Sequence, residues 1–549
     1  MKLKMNTNRR TFLKQSAGAS AAITIAPFPF LNVDAYETKG GSKEILKQLS
    51  LFNDEQIEAL LPMQVSEPGS RWNGGVKNNY QLPNAHSTCW FIVHLGQSFA
   101  SPYSQYYLDA TLEEPMDKAM ECLLRVQHDD GTIDLHSTNF HSTPDTAFIV
   151  NYLHPVYQIL KRLKRPKLKA FSENAEAFFL NAGRCLVNGG IHTPNHRWVV
   201  CAALARVHSL FPDQKYIDRV DEWLGEGIDM DPDGQYTEKS VSIYSPVCDD
   251  MLLTVARLLN RPGLFDVVRK NLDMTLYYIQ PGGEVLTEAS GRQDSGRVGY
   301  VNGYYYACRF LAIHDQNPVY AAVCRLIETR MPEKIIRYIS PMMANPVFEQ
   351  QMVSPTAIPT DYFRRFAHSG VFRIRRGQTD LSVIENNSTF LTFMKGRAVL
   401  QSLRIHASFF GGRGQFASEQ ARVEGEKIVL TRSVTHGYVQ PLPPEKITGD
   451  GDWSKMPHNE RKVSEKQNLH YKISIRESEG KVTVETEIEG TPHVPVSMEL
   501  TFREGGVLTG VTPDEHSEDG FFLEEESGEY RSGDDVIAFG PGKTGHRWG

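Results

Sequence analysis

Several absences narrow the field before any motif is read. Past the N-terminal region of this 549-residue chain, no stretch is apolar enough for a bilayer span, so no membrane partner is expected. Lysines and arginines are nowhere gathered into runs and the net charge is −7, which argues against nucleic acid and against an anionic membrane surface. Cysteine is sparse: seven residues (Cys89, Cys122, Cys185, Cys201, Cys248, Cys308 and Cys324), an odd count with no C-x-x-C pair and none in the last third. That pattern offers no ready metal or redox motif.

What is present begins with an address. Asn8-Arg9-Arg10-Thr11-Phe12-Leu13-Lys14 precedes a short run of small apolar residues from Ala17 to Pro27, the form read by the twin-arginine export machinery. Residues 1–34 are therefore expected to be a signal peptide, removed on the way to the periplasm or the medium. Chains exported this way fold first in a reducing cytoplasm, so the cysteines are expected to be free core thiols. Contexts such as Val199-Val200-Cys201-Ala202-Ala203-Leu204 suit that reading. About 500 residues remain, enough for more than one domain.

The periodicity changes near residue 345. Before it, Pro115–Gln127, Thr146–Lys161, Asn195–Ser209, Asp249–Leu259 and Val319–Glu328 place apolar residues at helical spacing. After it, Leu469, Tyr471, Ile473 and Ile475 alternate with polar neighbours, as do Val482, Val484 and Ile488, and again Val496, Met498, Leu500 and Phe502. Glu479-Gly480 marks a hairpin turn between two of these runs. Within the helical part, glycine-containing loops recur at Trp72–Gly75, Asp129–Gly131, Asn188–Gly190, Asp233-Gly234 and Pro281–Gly283. The intervals are about 45–60 residues, roughly two helices with their connections. Gly131-Thr-Ile-Asp134, Gly234-Gln-Tyr-Thr-Glu238 and Gly283-Glu-Val-Leu-Thr-Glu288 share a further pattern. The expected fold is thus α then β: an incomplete (α/α) toroid over 40–345, then an antiparallel β-sandwich over 350–549.

Four stretches cluster polar, ring-bearing and charged residues at helix boundaries. In Asp134–Asp145, Ser142, Thr143 and Pro144 suit a helix start, but capping does not account for Asn139 and His141. His136, His141 and Asp145 are the residues that could hold a divalent metal, although their spacing is unspecific and no cofactor is otherwise implied. Asn195-His196-Arg197 opens an apolar helix. Cationic groups there are disfavoured by the helix dipole unless an anion, such as a carboxylate, binds at that N-terminus. The same dipole would keep His196 neutral, as a base requires. Asp231–Tyr244 carries Tyr236, Glu238 and Tyr244 toward another helix, and in Glu288–Tyr300 Arg292 and Arg297 could clamp a carboxylate by paired hydrogen bonds.

Asn195-His196 opening a helix, followed by Asp233-Gly-x-Tyr236-x-Glu238-x-Ser240-x-x-x-Tyr244, resembles the heparinase II/III-like polysaccharide lyases, as does the order of toroid and sandwich. The resemblance implies β-elimination at a uronic acid, with removal of the C5 proton and cleavage of the C4–O bond. It makes Asn195, His196 and Tyr244 catalytic, with Glu238 orienting a partner or binding hydroxyls. To these the sequence adds Asn139, His141, Arg197, Tyr236, Arg292 and His406 as substrate-binding candidates. The family often carries a structural zinc with an aspartate close after a sandwich histidine. Here Arg404-Ile-His406-Ala-Ser-Phe-Phe-Gly-Gly has no such aspartate, so His406 is expected to face the ligand cleft instead. The expected partner is an acidic oligo- or polysaccharide. Two readings stand beside this one: a toroid glycoside hydrolase pairing Asp134 with Glu238 or Asp294, and a glycan-binding protein without catalysis.

Overall fold

The computed structural model describes residues 42–546 apart from 448, 450, 525 and 544, so the export address lies outside the described residues. Contacts divide the chain into two units. The first contains the helices through Leu276 and then Ser290–Ile358, and the second contains Tyr277–Ala289 with everything from Pro359 onward.

The first unit holds twelve helices among the described residues: α1 (Ser42–Leu60), α2 (Ala85–Ala100), α3 (Glu113–Val126), α4 (Thr143–Arg162), α5 (Lys169–Asn188), α6 (Asn195–Leu210), α7 (Gln214–Gly225), α8 (Tyr244–Leu258), α9 (Gly263–Thr275), α10 (Tyr305–His314), α11 (Pro318–Arg330) and α12 (Ile339–Ala344). They form two layers of an incomplete ring. α2, α4, α6, α8 and α10 each pack on the next, and α3, α5 and α7 do the same outside them. The sequence explains who is inside. In α6 every residue from Asn195 to Val207 is buried, so the helix is enclosed on all faces. In α7 only Tyr216 and Val220 are buried, a single stripe resting on the inner layer. α10 returns to α1 through Arg309, which donates to Ser42 Oγ at 2.9 Å and pairs with Glu328 at 2.6 Å. α12 packs on α4 and touches α1 and α2.

Three of the five recurrent glycine loops are one turn used repeatedly. In each, the first residue's N–H donates to the carbonyl four positions on, and the glycine N–H returns to the first residue's carbonyl. The pairs are His128–Thr132 at 2.9 Å with Gly131–His128 at 2.8 Å, Asp231–Gln235 at 2.9 Å with Gly234–Asp231 at 3.1 Å, and Gln280–Glu284 at 2.8 Å with Gly283–Gln280 at 3.1 Å. Only glycine fits at Gly131 and Gly234. Their φ values are +89° and +102°, and a Cβ would stand 2.1 Å from the Asn181 carbonyl oxygen of α5 or 2.5 Å from that of Lys270 in α9. The first two turns lead toward the first residues of α4 and α8, and contacts such as His86 to Asp145, Phe148 to His196 and Asn195 to Glu238 put the N-termini of α2, α4, α6 and α8 on one rim.

Short hairpins, β1 (Val76–Lys77) with β2 (Pro83–Asn84) and β3 (Ile133–Leu135) with β4 (Asn139–Ser142), stand on that rim. The second unit adds β5 (Asp361–Phe366), β6 (Val371–Arg376), β7 (Thr379–Ile384), β8 (Leu391–Lys395), β9 (Ala398–Ala407), β10 (Gln420–Glu424), β11 (Lys427–Val439), β12 (Val463–Ser478), β13 (Lys481–Gly490) and β14 (Val496–Phe502). They make an antiparallel six-stranded sheet, β14-β9-β8-β7-β6-β5, and an antiparallel four-stranded sheet, β10-β11-β12-β13. Phe372, Leu381, Leu391 and Ile405 of one meet Leu430, Leu469, Tyr471, Ile473 and Ile475 of the other in a common core, the β-sandwich that the alternation foretold. Glu479 and Gly480, both at positive φ, form the two-residue turn between β12 and β13.

The second unit also takes in Tyr277–Ala289, which falls inside the 40–345 bounds expected for the toroid. The cause is a set of arginines on the sheet. Arg373 Nε donates to the Tyr277 carbonyl at 2.8 Å, Arg375 to that of Ile279 at 2.9 Å, and Arg503 grips Glu284 with two bonds of 2.8 Å. All seven cysteines are buried and free, and burial raises their thiols, that of Cys122 to about 11 and that of Cys185 to about 12. Among the described residues, no helix is long and apolar enough to cross a membrane.

Candidate active site on the rim of the ring

α6 begins at the rim with Asn195 and His196, and its local chemistry is set by Glu238. The Asn195 N–H donates to Glu238 Oε2 at 3.1 Å, so the anion at this helix N-terminus is supplied by the chain itself. Arg292 approaches Glu238 Oε1 at 3.5 Å. Burial pushes the Glu238 carboxyl above its ordinary range, against the Asn195 N–H and the Arg292 charge. Glu238 therefore joins the start of α6 to Arg292. The Asn195 side chain accepts from Thr193 Oγ1 at 2.7 Å, which leaves its buried Nδ2 without a partner among the described residues.

His196 is buried, its ring set edge-on to Phe148 at 6.1 Å and to His192 at 4.7 Å. Its Nδ1 likewise has no partner among the described residues. Burial, helped by His192 and Arg292 and opposed by Asp145, lowers its pKa to about 4, so the imidazole is neutral at neutral pH. Tyr244, the first residue of α8, accepts a 2.5 Å hydrogen bond on its oxygen from Gln293, and the Arg292 guanidinium lies 5.3 Å from its ring centre. Asp294 fixes this loop. Its carboxylate accepts from Ser240, Ser242 and Ser290, and Ser240 Oγ accepts the Tyr244 N–H. Asn195, His196, Arg292 and Tyr244 thus belong to one linked group of side chains.

Other sequence candidates take different parts. Arg197 donates through Nε to the Pro194 carbonyl just before the helix, at 3.4 Å. It is bound to Asp229 at 2.8 Å and Glu226 at 3.3 Å and lies on the Trp198 ring, so it ties α6 to the following loop and is spent internally. Tyr236 is 2% exposed with its hydroxyl on Asp249 at 2.8 Å, a core residue rather than a sugar contact. Both corrections have one cause: sequence position on a loop or helix start does not reveal side-chain direction. Asn139 donates to Asp145 at 2.8 Å. His141 instead pairs with Asp130 at 2.7 Å and stacks on His128 at 3.9 Å. His136 approaches Asp134 at 3.9 Å, so His136, His141 and Asp145 do not converge, and no metal-holding group of three His, Cys, Asp or Glu occurs among the described residues. The carboxylates of the hydrolase reading are likewise engaged: Asp134 holds His128 and the His141 N–H, and Asp294 its three serines. His406 lies in β9 of the second unit, opposite Ser497 of β14 and bridged to Gln415. Sequence reasoning missed His86 in the first turn of α2, whose Nε2 meets Asp145 Oδ1 at 3.1 Å. The only cue was a histidine just after the Asn84 cap.

No family model and no curated protein sequence matches this chain. Among solved structures it is similar to a xanthan lyase from Paenibacillus, at 8% identity and a TM-score of 0.53 over 82% of this chain and 46% of that one. It is also similar to a chondroitin AC lyase from Streptomyces coelicolor A3 in complex with chondroitin sulphate (12% identity, TM-score 0.49, 84% of this chain and 68% of that one). A third likeness is to heparinase III (9% identity, TM-score 0.47, 96% and 94%). The chain spans less than half of the xanthan lyase, and what the two share at 8% identity is architecture, a helical toroid followed by an antiparallel sandwich.

Proposed function

We propose that the chain is an exported polysaccharide lyase that cleaves a uronic-acid-containing glycan by β-elimination. The observation that carries this reading is the pair at the start of α6: a neutral His196 beside an Asn195 side chain whose Nδ2 has no partner among the described residues, in one group with Tyr244 and Arg292. The C5 proton of a uronate is weakly acidic until the neighbouring carboxylate is neutralised, and an amide donor with Arg292 nearby supplies that neutralisation. His196 then accepts the C5 proton, electrons move into the C4–C5 bond, and the C4 oxygen leaves with a proton from Tyr244. A fold shared with a xanthan lyase is consistent with an enzyme acting on polysaccharides. The twin-arginine address would place it in the periplasm or medium, where such polymers arrive.

The test is incubation of the processed full chain with a panel of uronate polymers. Expected are new reducing ends together with the ultraviolet absorbance of a C4–C5 unsaturated uronate. New reducing ends without that absorbance would mean hydrolysis and overturn the reading.

A further inference from the structure

Beyond the group around His196, the rim carries a second organised set of side chains on α2 and α4. Asp145 belongs to the first turn of α4, where Ser142 is the cap: the Asp145 N–H donates to Ser142 Oγ at 3.2 Å, and Ser142 returns its proton to Asp145 Oδ2 at 2.5 Å. Capping accounts for those two bonds. It does not account for the other two that the carboxylate accepts, from Asn139 Nδ2 at 2.8 Å and from His86 Nε2 at 3.1 Å. Donors from Ser142, His86 and Asn139 hold the Asp145 carboxyl below its ordinary range against burial, so it is an acceptor at neutral pH. His86 donates through Nε2 to this carboxylate, so in the neutral ring the Nδ1 lone pair is left for another partner, on a side chain 23% exposed.

One turn deeper, the same helix faces turn aromatic. Trp90 follows His86 by four positions on α2, and Phe148 and Tyr152 follow Asp145 by three and seven on α4. All three rings are half-buried. The Trp90 and Tyr152 centres are 4.7 Å apart, Tyr152 and Phe148 stack at 6.1 Å, and Phe148 meets His196 at 6.1 Å. A floor of rings beneath a fixed hydrogen-bond acceptor is the chemistry that binds a pyranose: the C–H face lies on the aromatics and a hydroxyl reaches the acceptor.

We infer that His86, oriented by Asp145 above Trp90 and Tyr152, binds a second sugar residue of the polymer, next to the one that meets His196. This rests on the proposed action on a glycan, and it assigns His86 a substrate-binding part through Nδ1. His86→Gln is the informative variant, because its amide nitrogen keeps the bond to Asp145 while the Nδ1 acceptor is lost.

Tetrasaccharides from hyaluronan and from alginate are titrated into the full chain, with tryptophan fluorescence reporting on Trp90 and product absorbance recorded in parallel. The expected result is saturable binding of at least one probe, weakened about tenfold in His86→Gln. KM should rise alike, with kcat and melting temperature at the parent values. Equal affinity in parent and variant overturns the inference, as does a loss of affinity accompanied by a lower melting temperature, or no saturable binding of either probe. Binding by the parent without unsaturated product from either probe or any polymer overturns the lyase reading alone.

Discussion

Two buried polar clusters, one in each unit, are built on opposite rules. In the sandwich, Arg373 and Asp380 face each other across the β6–β7 hairpin, both 0% exposed, with bonds of 2.6 and 2.7 Å. Ser382 and the Tyr277 carbonyl each take a further guanidinium donor, so all three guanidinium nitrogens have a partner. At the start of α6 the polar atoms are buried too, but Asn195 Nδ2 and His196 Nδ1 have no partner among the described residues. Burying a polar group without a partner costs about 1–3 kcal/mol. A chain bears that cost where the missing partner is a ligand, and avoids it where the cluster only holds strands together.

That contrast can be broken at several points. Tyr244→Phe should lower turnover about 10³-fold, within the range for a lost proton donor, with an unchanged melting temperature. Rate and calorimetry on the same sample check it, and a drop in both would make Tyr244 structural. Asp380→Ala does the reverse: it leaves Arg373 buried and unpaired, and should cost about 3–5 kcal/mol in denaturant unfolding of the sandwich.

A third test uses pH. His196 has its pKa lowered to about 4 in the folded chain, against an ordinary value of 6.5, so the unfolded chain binds the proton first as pH falls. The neutral ring carries no penalty above pH 6.5, and stability is lost as pH drops from there toward 4, by about 2 kcal/mol at pH 5. His196→Gln should flatten that acid limb in urea melts at pH 7 and 5. The smallest effect is expected from Arg197→Gln, at about 1 kcal/mol of stability with turnover within about twofold. A large loss of rate there would return Arg197 to the site.

How much of this was readable from the residues depended on the range of the interaction. The β12–β13 hairpin could be read because alternation and the Glu479-Gly480 turn are local, and so could the three matching glycine loops. The free thiols followed from their apolar contexts. Long-range pairings could not be read. Glu238 meets the Asn195 N–H across 43 positions and His86 meets Asp145 across 59, and no pattern in either segment announces the other. Arg197 was misjudged for a related reason: helical position fixes where a side chain starts, while Asp229 and Glu226 decide where it ends. The reassignment of Tyr277–Ala289 was hidden in the same way, since arginines about a hundred residues downstream determine it.

The repeated turn has a consequence for how such a ring can change. Gly131 and Gly234 each press against a carbonyl of an outer helix, Asn181 in one case and Lys270 in the other. Each rim loop is therefore clamped at its base, while the residues between clamp and inner helix, such as Leu135–Phe140 or Thr237–Ile243, lie beyond it. Lengthening or exchanging that stretch alters what the rim presents and leaves the clamp untouched. The scaffold behaves as a row of sockets. Exchanging His136–Thr138 for a foreign segment should be tolerated as long as Gly131 is kept, because Asp134, Asn139 and His141 keep their bonds to His128, Asp145 and Asp130, whereas Gly131→Val should unseat the loop however conservative the rest of the graft.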